Sequence, residues 1–91
     1  MVKAIWEGTI LAESDKCETV ESNYYFPRKS VKMEFLRKSN TPYTCPWKGE
    51  CQYFDVVVSN KTNKNGAWTY PEPKPAAKNI KNYVAFWHGV K

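Results

Sequence analysis

Glycine and proline interrupt this chain so often that a long helix has no room between them. Nine of these residues separate short segments: Gly8, Pro27, Pro42, Pro46, Gly49, Gly66, Pro71, Pro73 and Pro75. Both residue types mark turns more often than the interiors of regular elements, and the spacing here favours strands. A chain of 91 residues is also the size of one domain. We therefore predict a single compact domain over residues 1–91, mainly β, built as an antiparallel barrel or sandwich.

Alternation of apolar residues locates the strands. Val2–Trp6 and Thr9–Ala12 flank Gly8, which together with its neighbour Glu7 predicts a hairpin turn. Gln52–Val58 alternates in the two-residue period of a half-buried strand. Further strands are predicted where aromatic and β-branched residues collect, over Ala67–Tyr70 and Tyr83–Trp87.

Two segments are harder to assign from the pattern. Ser59–Gly66 is polar and is interpreted as a hairpin loop, with Gly66 in or beside the turn. Arg28–Leu36 is the one helix candidate, but its apolar residues also alternate as they would in a strand. We interpret it as one short helical turn that passes into a strand, with helix and strand both left open.

The cysteines and the N-terminus indicate the compartment. The chain has three cysteines, an odd number, which argues against a disulfide framework. Glu7 stands where a signal peptide would continue its apolar core, and no apolar run approaches the roughly 18 residues of a membrane span. We expect a cytoplasmic protein away from the membrane, with reduced thiols and a Cys45–Cys51 bridge only after oxidation.

The spacing of the cysteine, histidine and glycine residues does not favour a metal or cofactor site. Cys17, Cys45, Cys51 and His88 would suffice chemically for zinc, but zinc ligands normally come in pairs two to four residues apart, and no such pair exists here. The four glycines are scattered singly, so no phosphate-binding loop is present. We predict no metal and no cofactor. No two acids are paired by their spacing, and Asp55 is expected to face solvent.

The net charge of +5 raises the question of nucleic-acid binding. The basic residues cluster at Arg28, Lys29, Lys32, Arg37 and Lys38. Glu34 interrupts this cluster, and most aromatic residues fall where strands should build the core. A solvated basic face is the favoured interpretation, and nucleic acid is not the expected partner.

The stretch TCPWKGECQY, from Thr44 to Tyr53, holds the densest group of chemically useful residues. Cys45 has Lys48 three residues on, and a positive charge beside a thiol is typical of nucleophilic cysteines. The single histidine, His88, lies near the C-terminus, where chains commonly fray, so the thiol has no evident proton acceptor. A turn into a strand is favoured over catalysis, although both interpretations stay open.

Four motifs, in order and spacing, resemble a known family. They are Tyr25-Phe26-Pro27, Thr44-Cys45-Pro46-Trp47-Lys48-Gly49 with Tyr53, Ala67-Trp68-Thr69-Tyr70-Pro71-Glu72-Pro73, and Tyr83-Val84-Ala85-Phe86. Together they span nearly the whole chain and resemble the bacterial and cyanobacterial family named domain of unknown function 427. The resemblance implies a compact, mainly antiparallel β domain. It marks as recurrent the positions of Cys45, Lys48, Gly49, Trp68, Tyr70 and Pro71, whereas Cys17 and Cys51 depart from the family pattern. The family is sometimes labelled nucleotidyltransferase-like, but this sequence lacks the Gly-Ser pair and spaced acids of such enzymes.

Tryptophans and tyrosines beside turns favour a cleft over a filled interior. The predicted site comprises Cys45, Trp47, Lys48, Trp68 and Tyr70. Lys48 would pair with an anion, Trp68 and Tyr70 would offer stacking area, and Cys45 would form a wall or act as a nucleophile. We expect a small anionic or planar ligand. The first alternative is a homodimer or protein-interaction module. The second is an enzyme that uses Cys45 as a nucleophile or has a nucleotide-handling activity. In a purely structural turn Lys48 would be solvated, and Lys48→Ala would change stability by at most about 0.5 kcal/mol. In the cleft, we expect Lys48→Ala and Trp68→Ala to abolish binding, and Lys48→Ala to leave the melting temperature nearly unchanged.

Overall fold

The computed structural model describes every residue from 1 to 91 and consists of eight strands and three short 3-10 segments. The strands are β1 (Val2–Trp6), β2 (Thr9–Ser14), β3 (Glu18–Val20), β4 (Asn23–Tyr25), β5 (Leu36–Cys45), β6 (Gly49–Val58), β7 (Lys61–Thr69) and β8 (Val84–Phe86). The 3-10 segments are Arg28–Ser30, Met33–Phe35 and Pro75–Ile80. The prediction of a mainly β antiparallel fold is confirmed. None of the helical segments has the length and apolar character needed to cross a membrane.

The strands form one large sheet and two hairpins. The large sheet has the antiparallel order β5-β6-β7-β8, and β1-β2 and β3-β4 pair separately. Backbone hydrogen bonds of 2.8 and 2.9 Å between Phe26 and Val84 attach the β3-β4 hairpin to β8. Two bonds of 2.8 Å between Ile5 and Lys91 attach the C-terminus to β1. The sheet does not close on itself, so the barrel alternative is wrong and the open, sandwich-like alternative holds.

Both faces of the large sheet are covered, because successive side chains of a strand point to opposite faces. On one face, Phe54 and Ala67 belong to a buried cluster with Leu11 of the β1-β2 hairpin. On the other face, Trp68 belongs to a second cluster with Tyr25 of β4, together with residues of the Pro75–Ile80 segment. The β3-β4 hairpin therefore packs on the face opposite the β1-β2 hairpin.

The predicted loop over Ser59–Gly66 is wrong. The turn comprises only Ser59 and Asn60, and β7 begins at Lys61. Gly66 is buried inside the strand, beside a register shift in the β6-β7 pairing, and not at a turn. A Cβ there would meet the Asn63 side chain at 2.8 Å, so glycine serves close packing. The polar residues are the exposed part of a long strand.

Asp55 has a role at this register shift that the sequence did not indicate. It is half-buried, and its Oδ1 accepts a hydrogen bond of 2.9 Å from the backbone N–H of Asn65. Asn65 adopts a positive φ of 55°. The expectation that Asp55 simply faces solvent is wrong, because the irregular backbone opposite it offers a donor that needs a partner.

The remaining turn predictions are confirmed. Gly8 has a φ of 74° and ends the turn between β1 and β2. Arg28–Leu36 forms two 3-10 turns and then passes into β5 at Leu36, so the alternating pattern there does not make a strand before Leu36. The Pro75–Ile80 segment is a further helical turn that the sequence analysis did not anticipate, and it starts with proline, which suits a first helical position.

Candidate functional site

The stretch TCPWKGECQY forms the hairpin turn between β5 and β6. Cys45 and Gly49 are partners at the ends of the strands, and the residues between them make the turn. Gly49 has a φ of 108°, and a Cβ at this position would lie 3.4 Å from the carbonyl oxygen of Glu72. The backbone N–H of Lys74 donates to the carbonyl of Lys48 at 2.9 Å, and its Nζ donates to the carbonyl of Pro46 at 2.7 Å. The turn is thus held in place from one side.

Lys48 points inward from this turn. The residue is only 6% exposed. Its Nζ lies 5.4 Å from the ring centroid of Trp47 and 5.4 Å from that of Tyr70, within the range of cation–π contacts. The sequence predicted that the turn presents Lys48 to Tyr70 and Trp68, and the structure places it there.

Glu21 supplies the counterion for Lys48. The Glu21 carboxylate accepts a hydrogen bond from the Lys48 ammonium and forms an ion pair with it. Glu21 lies in the turn between β3 and β4, and its side chain stays 52% exposed. The two partners are 27 residues apart in the chain.

The ion pair keeps both groups charged. The hydrogen bond from Lys48 lowers the pKa of Glu21. Burial by itself would lower the pKa of Lys48, but the hydrogen bond to Glu21 and the neighbouring Tyr25 outweigh burial and raise it. Because Lys48 is buried, its replacement by alanine removes packing contacts, so a nearly unchanged melting temperature is no longer the expected result for Lys48→Ala.

Lys48 lines a cleft of about 290 Å³ on the face of the large sheet that carries Trp68. The cleft is lined by Asn23, Tyr43, Lys48, Tyr53, Trp68, Tyr70 and Trp87. Trp68 and Tyr70 are buried and form its base, whereas Tyr43 and Trp87 are 48% and 41% exposed. Five aromatic residues and one cation therefore surround a space that solvent can enter.

The aromatic rings form a continuous row. Trp87 stacks on Tyr53 with the ring planes 11° apart and the centroids 6.1 Å apart. Trp87 also meets Trp68 edge to face at 5.0 Å, and Tyr43 lies 6.5 Å from Tyr53. The Trp87 indole N–H donates to the carbonyl of Asn65. This bond fixes the orientation of an exposed tryptophan at the mouth of the cleft.

The structure separates the five residues of the predicted site. Lys48, Trp68 and Tyr70 line the cleft together. Trp47 is exposed and contacts the Lys48 ammonium without lining the cleft. Cys45 is buried in the second cluster with Trp68 and Tyr70 and lies behind the cleft surface. Its place in a wall of the site, or as a nucleophile, stays a prediction.

Sequence reasoning missed several residues of the site. Tyr53 was noted only as part of the family motif, although its alternation with Phe54 places it on the face opposite the first core cluster. Trp87 stood at the end of a predicted strand, so an exposed position was readable from the pattern. Glu21 and Asn23 carried no signal, because only the docking of the β3-β4 hairpin brings Asn23 to the cleft and Glu21 to Lys48.

Burial keeps the Cys51 thiol near Lys48 protonated at neutral pH. Cys17, Cys45 and Cys51 are unpaired. Burial raises the pKa of the Cys51 thiol to about 11, with a partial opposing effect from Lys48. Burial also raises the pKa of Cys17, Tyr25, Tyr53 and Tyr70. Each of these shifts moves the pKa of the group further above 7. A general acid or base works best with a pKa near the operating pH.

His88 does not lie in a frayed terminus, contrary to expectation. Its carbonyl accepts a hydrogen bond of 2.9 Å from Asn63 Nδ2, and Lys91 pairs with Ile5. The exposed imidazole lies 4.3 Å from the Trp87 ring. No group of three or more histidine, cysteine or acidic side chains comes together in a metal-binding arrangement.

Comparison with known proteins gives one result about family. A search of curated protein sequences finds no match. A family model described as "Domain of unknown function (DUF427)" matches residues 1–91, the whole chain, including the motifs that build the turn and the cleft. The chain therefore belongs to the DUF427 family.

Proposed function

We propose that this domain binds a small ligand, anionic or planar, in the cleft beside Lys48. The observation that carries the proposal is a buried lysine that lines an aromatic cleft of about 290 Å³. Removing a lysine from water is unfavourable unless a partner compensates, and the single ionic partner, Glu21, is half exposed. Such an arrangement contributes little to stability, which favours a role in binding.

The rest of the cleft suits a flat, partly apolar group. Tyr53, Trp68 and Trp87 present ring faces and edges that give large contact area with few rotatable bonds. Asn23 adds an amide that can donate and accept hydrogen bonds. Mostly aromatic walls with a few directed polar groups are typical of small-molecule sites.

The proposal can be tested by a ligand screen that compares three proteins. Wild-type protein, Lys48→Met and Lys64→Met would be screened by NMR against small aromatic anions, aromatic amines and neutral aromatics. Lys64 is exposed and does not line the cleft, so its variant controls for loss of charge alone. We expect anion binding that shifts the Trp68 and Trp87 indole signals and is lost only in Lys48→Met. Binding elsewhere, or equal loss in both variants, would contradict the proposal.

A dimerisation module is the second candidate. β5 is a ten-residue edge strand of the large sheet, and it carries the exposed Tyr43. An unpaired edge can pair with another chain, but Pro42 and the charged Lys38 on this strand oppose pairing. Concentration-dependent sedimentation separates the two candidates, since a dimer that covers Tyr43 and Trp87 would favour the interaction module.

An enzyme that uses Cys45 as a nucleophile is the third candidate, and the burial of that thiol behind the cleft disfavours it. Nucleic acid is a less favoured partner than a small molecule, because Lys48 is the only basic residue lining the cleft. We also propose that the protein acts in the cytoplasm and needs no cofactor. A thiol-reactive probe that labels Cys45 rapidly in the native state would reverse the ranking against the enzyme.

A further inference from the structure

We infer that the ligand is an aromatic monocarboxylate whose carboxylate competes with Glu21 for the Lys48 ammonium. This inference rests on the proposed function and narrows its ligand class. The Glu21 carboxylate already occupies the ammonium, so the structure contains an example of the anion that this position accepts. A ligand carboxylate beside Glu21 would be repelled by it, so we expect the ligand to take the place of the Glu21 carboxylate on the ammonium.

The charge of the cleft favours a monoanion over a phosphate. Lys48 is the only charged residue among those that line the cleft. Once Glu21 is displaced, one positive charge remains, and one carboxylate neutralises it. A phosphate monoester carries nearly two negative charges at neutral pH and would leave one uncompensated in an aromatic, half-enclosed space.

The position of Glu21 makes its displacement feasible. Its side chain is 52% exposed, so the carboxylate is rehydrated when it leaves Lys48. The Lys48 side chain is 8% exposed and lies between the Trp47 and Tyr70 rings, so it stays in place. The exchange therefore moves the exposed member of the pair and keeps the buried one.

The aromatic row defines the other part of the ligand. Tyr53, Trp68 and Trp87 line the same cleft as Lys48, and its volume of about 290 Å³ suits one fused ring system with a short acidic arm. Because Glu21 is part of the protein and competes for Lys48, it should also weaken the apparent affinity of the ligand. If Glu21 occupies Lys48 about nine-tenths of the time, the apparent Kd of the ligand is about tenfold above its intrinsic value.

Four probes with the same ring test the inference by calorimetry and NMR: indole-3-acetate, 3-indoxyl phosphate, tryptamine and indole. We expect wild-type protein to bind indole-3-acetate most tightly. Glu21→Gln should lower its Kd about tenfold because the competitor loses its charge. Lys48→Met should abolish binding, and Glu13→Gln, which changes an exposed acid outside the cleft, should leave the Kd unchanged.

A measurement on the wild-type protein covers the case in which Glu21→Gln fails to fold. With ¹³C-labelled protein, the Glu21 carboxylate carbon signal should move toward the position of a free glutamate as indole-3-acetate is added. An unmoved signal, a preference for the phosphate, or weaker binding in Glu21→Gln would overturn the inference. The proposed function would survive those results if a probe still bound in a manner that depends on Lys48. Absence of binding by all four probes would contradict both.

Discussion

The Trp68 indole N–H donates a buried hydrogen bond of 3.1 Å to the hydroxyl of Tyr25, and the two rings meet edge to face at 90° with centroids 6.0 Å apart. Trp68 belongs to β7 of the large sheet and Tyr25 to β4 of the hairpin that carries Glu21. This bond therefore links the base of the cleft to the element that supplies the counterion of Lys48.

Removal of the Tyr25 hydroxyl should destabilise the fold measurably. Tyr25→Phe leaves the Trp68 N–H buried without a partner, at a cost of about 1 to 3 kcal/mol in the free energy of unfolding. The test is to measure the free energy of unfolding of Tyr25→Phe and of Tyr24→Phe in urea and to compare each with the wild type. Tyr24 is exposed, so its variant should change stability by less than about 0.5 kcal/mol. Equal effects of the two variants would mean that the Trp68 bond contributes nothing.

The two turn glycines should respond differently to alanine. Gly8 has a φ of 74° with open space around it, so Gly8→Ala should cost about 1 kcal/mol from backbone strain alone. Gly49 has a φ of 108°, which lies farther than that of Gly8 from the left-handed region at about +57° that other residues can adopt, so Gly49→Ala should cost about 2 kcal/mol or more. Thermal or urea unfolding decides the order. A smaller effect at Gly49 than at Gly8 would show that the β5-β6 turn relaxes to a more favourable φ.

Lys48 should stabilise the domain through its aliphatic stem more than through its charge. The stem is buried beside Tyr70, so Lys48→Ala should cost about 1 to 3 kcal/mol. Lys48→Met keeps most of the packing and leaves only the half-exposed Glu21 without its partner, so it should cost less than about 1 kcal/mol. The free energies of unfolding of both variants test this. If Lys48→Met were as destabilising as Lys48→Ala, the ion pair would be the dominant contribution.

Stability should fall at both ends of the pH range. The lowered pKa of Glu21 means that its contribution is present above the ordinary value of 4.5 and is lost as the pH falls through the lowered value. The raised pKa of Lys48 means that its contribution is present below 10.5 and is lost as the pH rises through the raised value. The melting temperature of Lys48→Met should consequently depend less on pH than that of the wild type at both ends. Parallel curves would contradict this coupling.

Cys51 should contribute to the alkaline fall. Its thiol is favoured in the neutral form by burial, with the pKa raised from 9.0 to about 11, so stability is lost as the pH rises through this interval. Cys51→Ala removes the titrating group, and its melting temperature should fall less steeply than that of the wild type between pH 9 and 11. The slope in this interval, measured in reducing buffer, is the test. An unchanged slope would assign the alkaline fall to the tyrosines and Lys48.

Local sequence patterns determined the strands and the turn that presents Lys48. The alternation of Phe54, Val56 and Val58 predicted β6 because side chains of a strand alternate between faces. The Pro46–Gly49 turn was readable because Gly49 can adopt a positive φ. Polarity alone misled at Ser59–Gly66, since a polar segment can be an exposed strand as well as a loop.

The cleft itself was decided by the tertiary structure. Tyr53 and Trp87 meet only because β6 and β8 both pair with β7, and Glu21 reaches Lys48 across 27 residues of sequence. That approach depends on the docking of the β3-β4 hairpin through the backbone bonds of Phe26 and Val84. Such contacts arise from packing between distant segments, which local propensity and periodicity do not encode. The sequence by itself therefore determined the strands and the turn that carries Lys48, and the packing of the hairpin on the sheet decided which side chains lie together around Lys48.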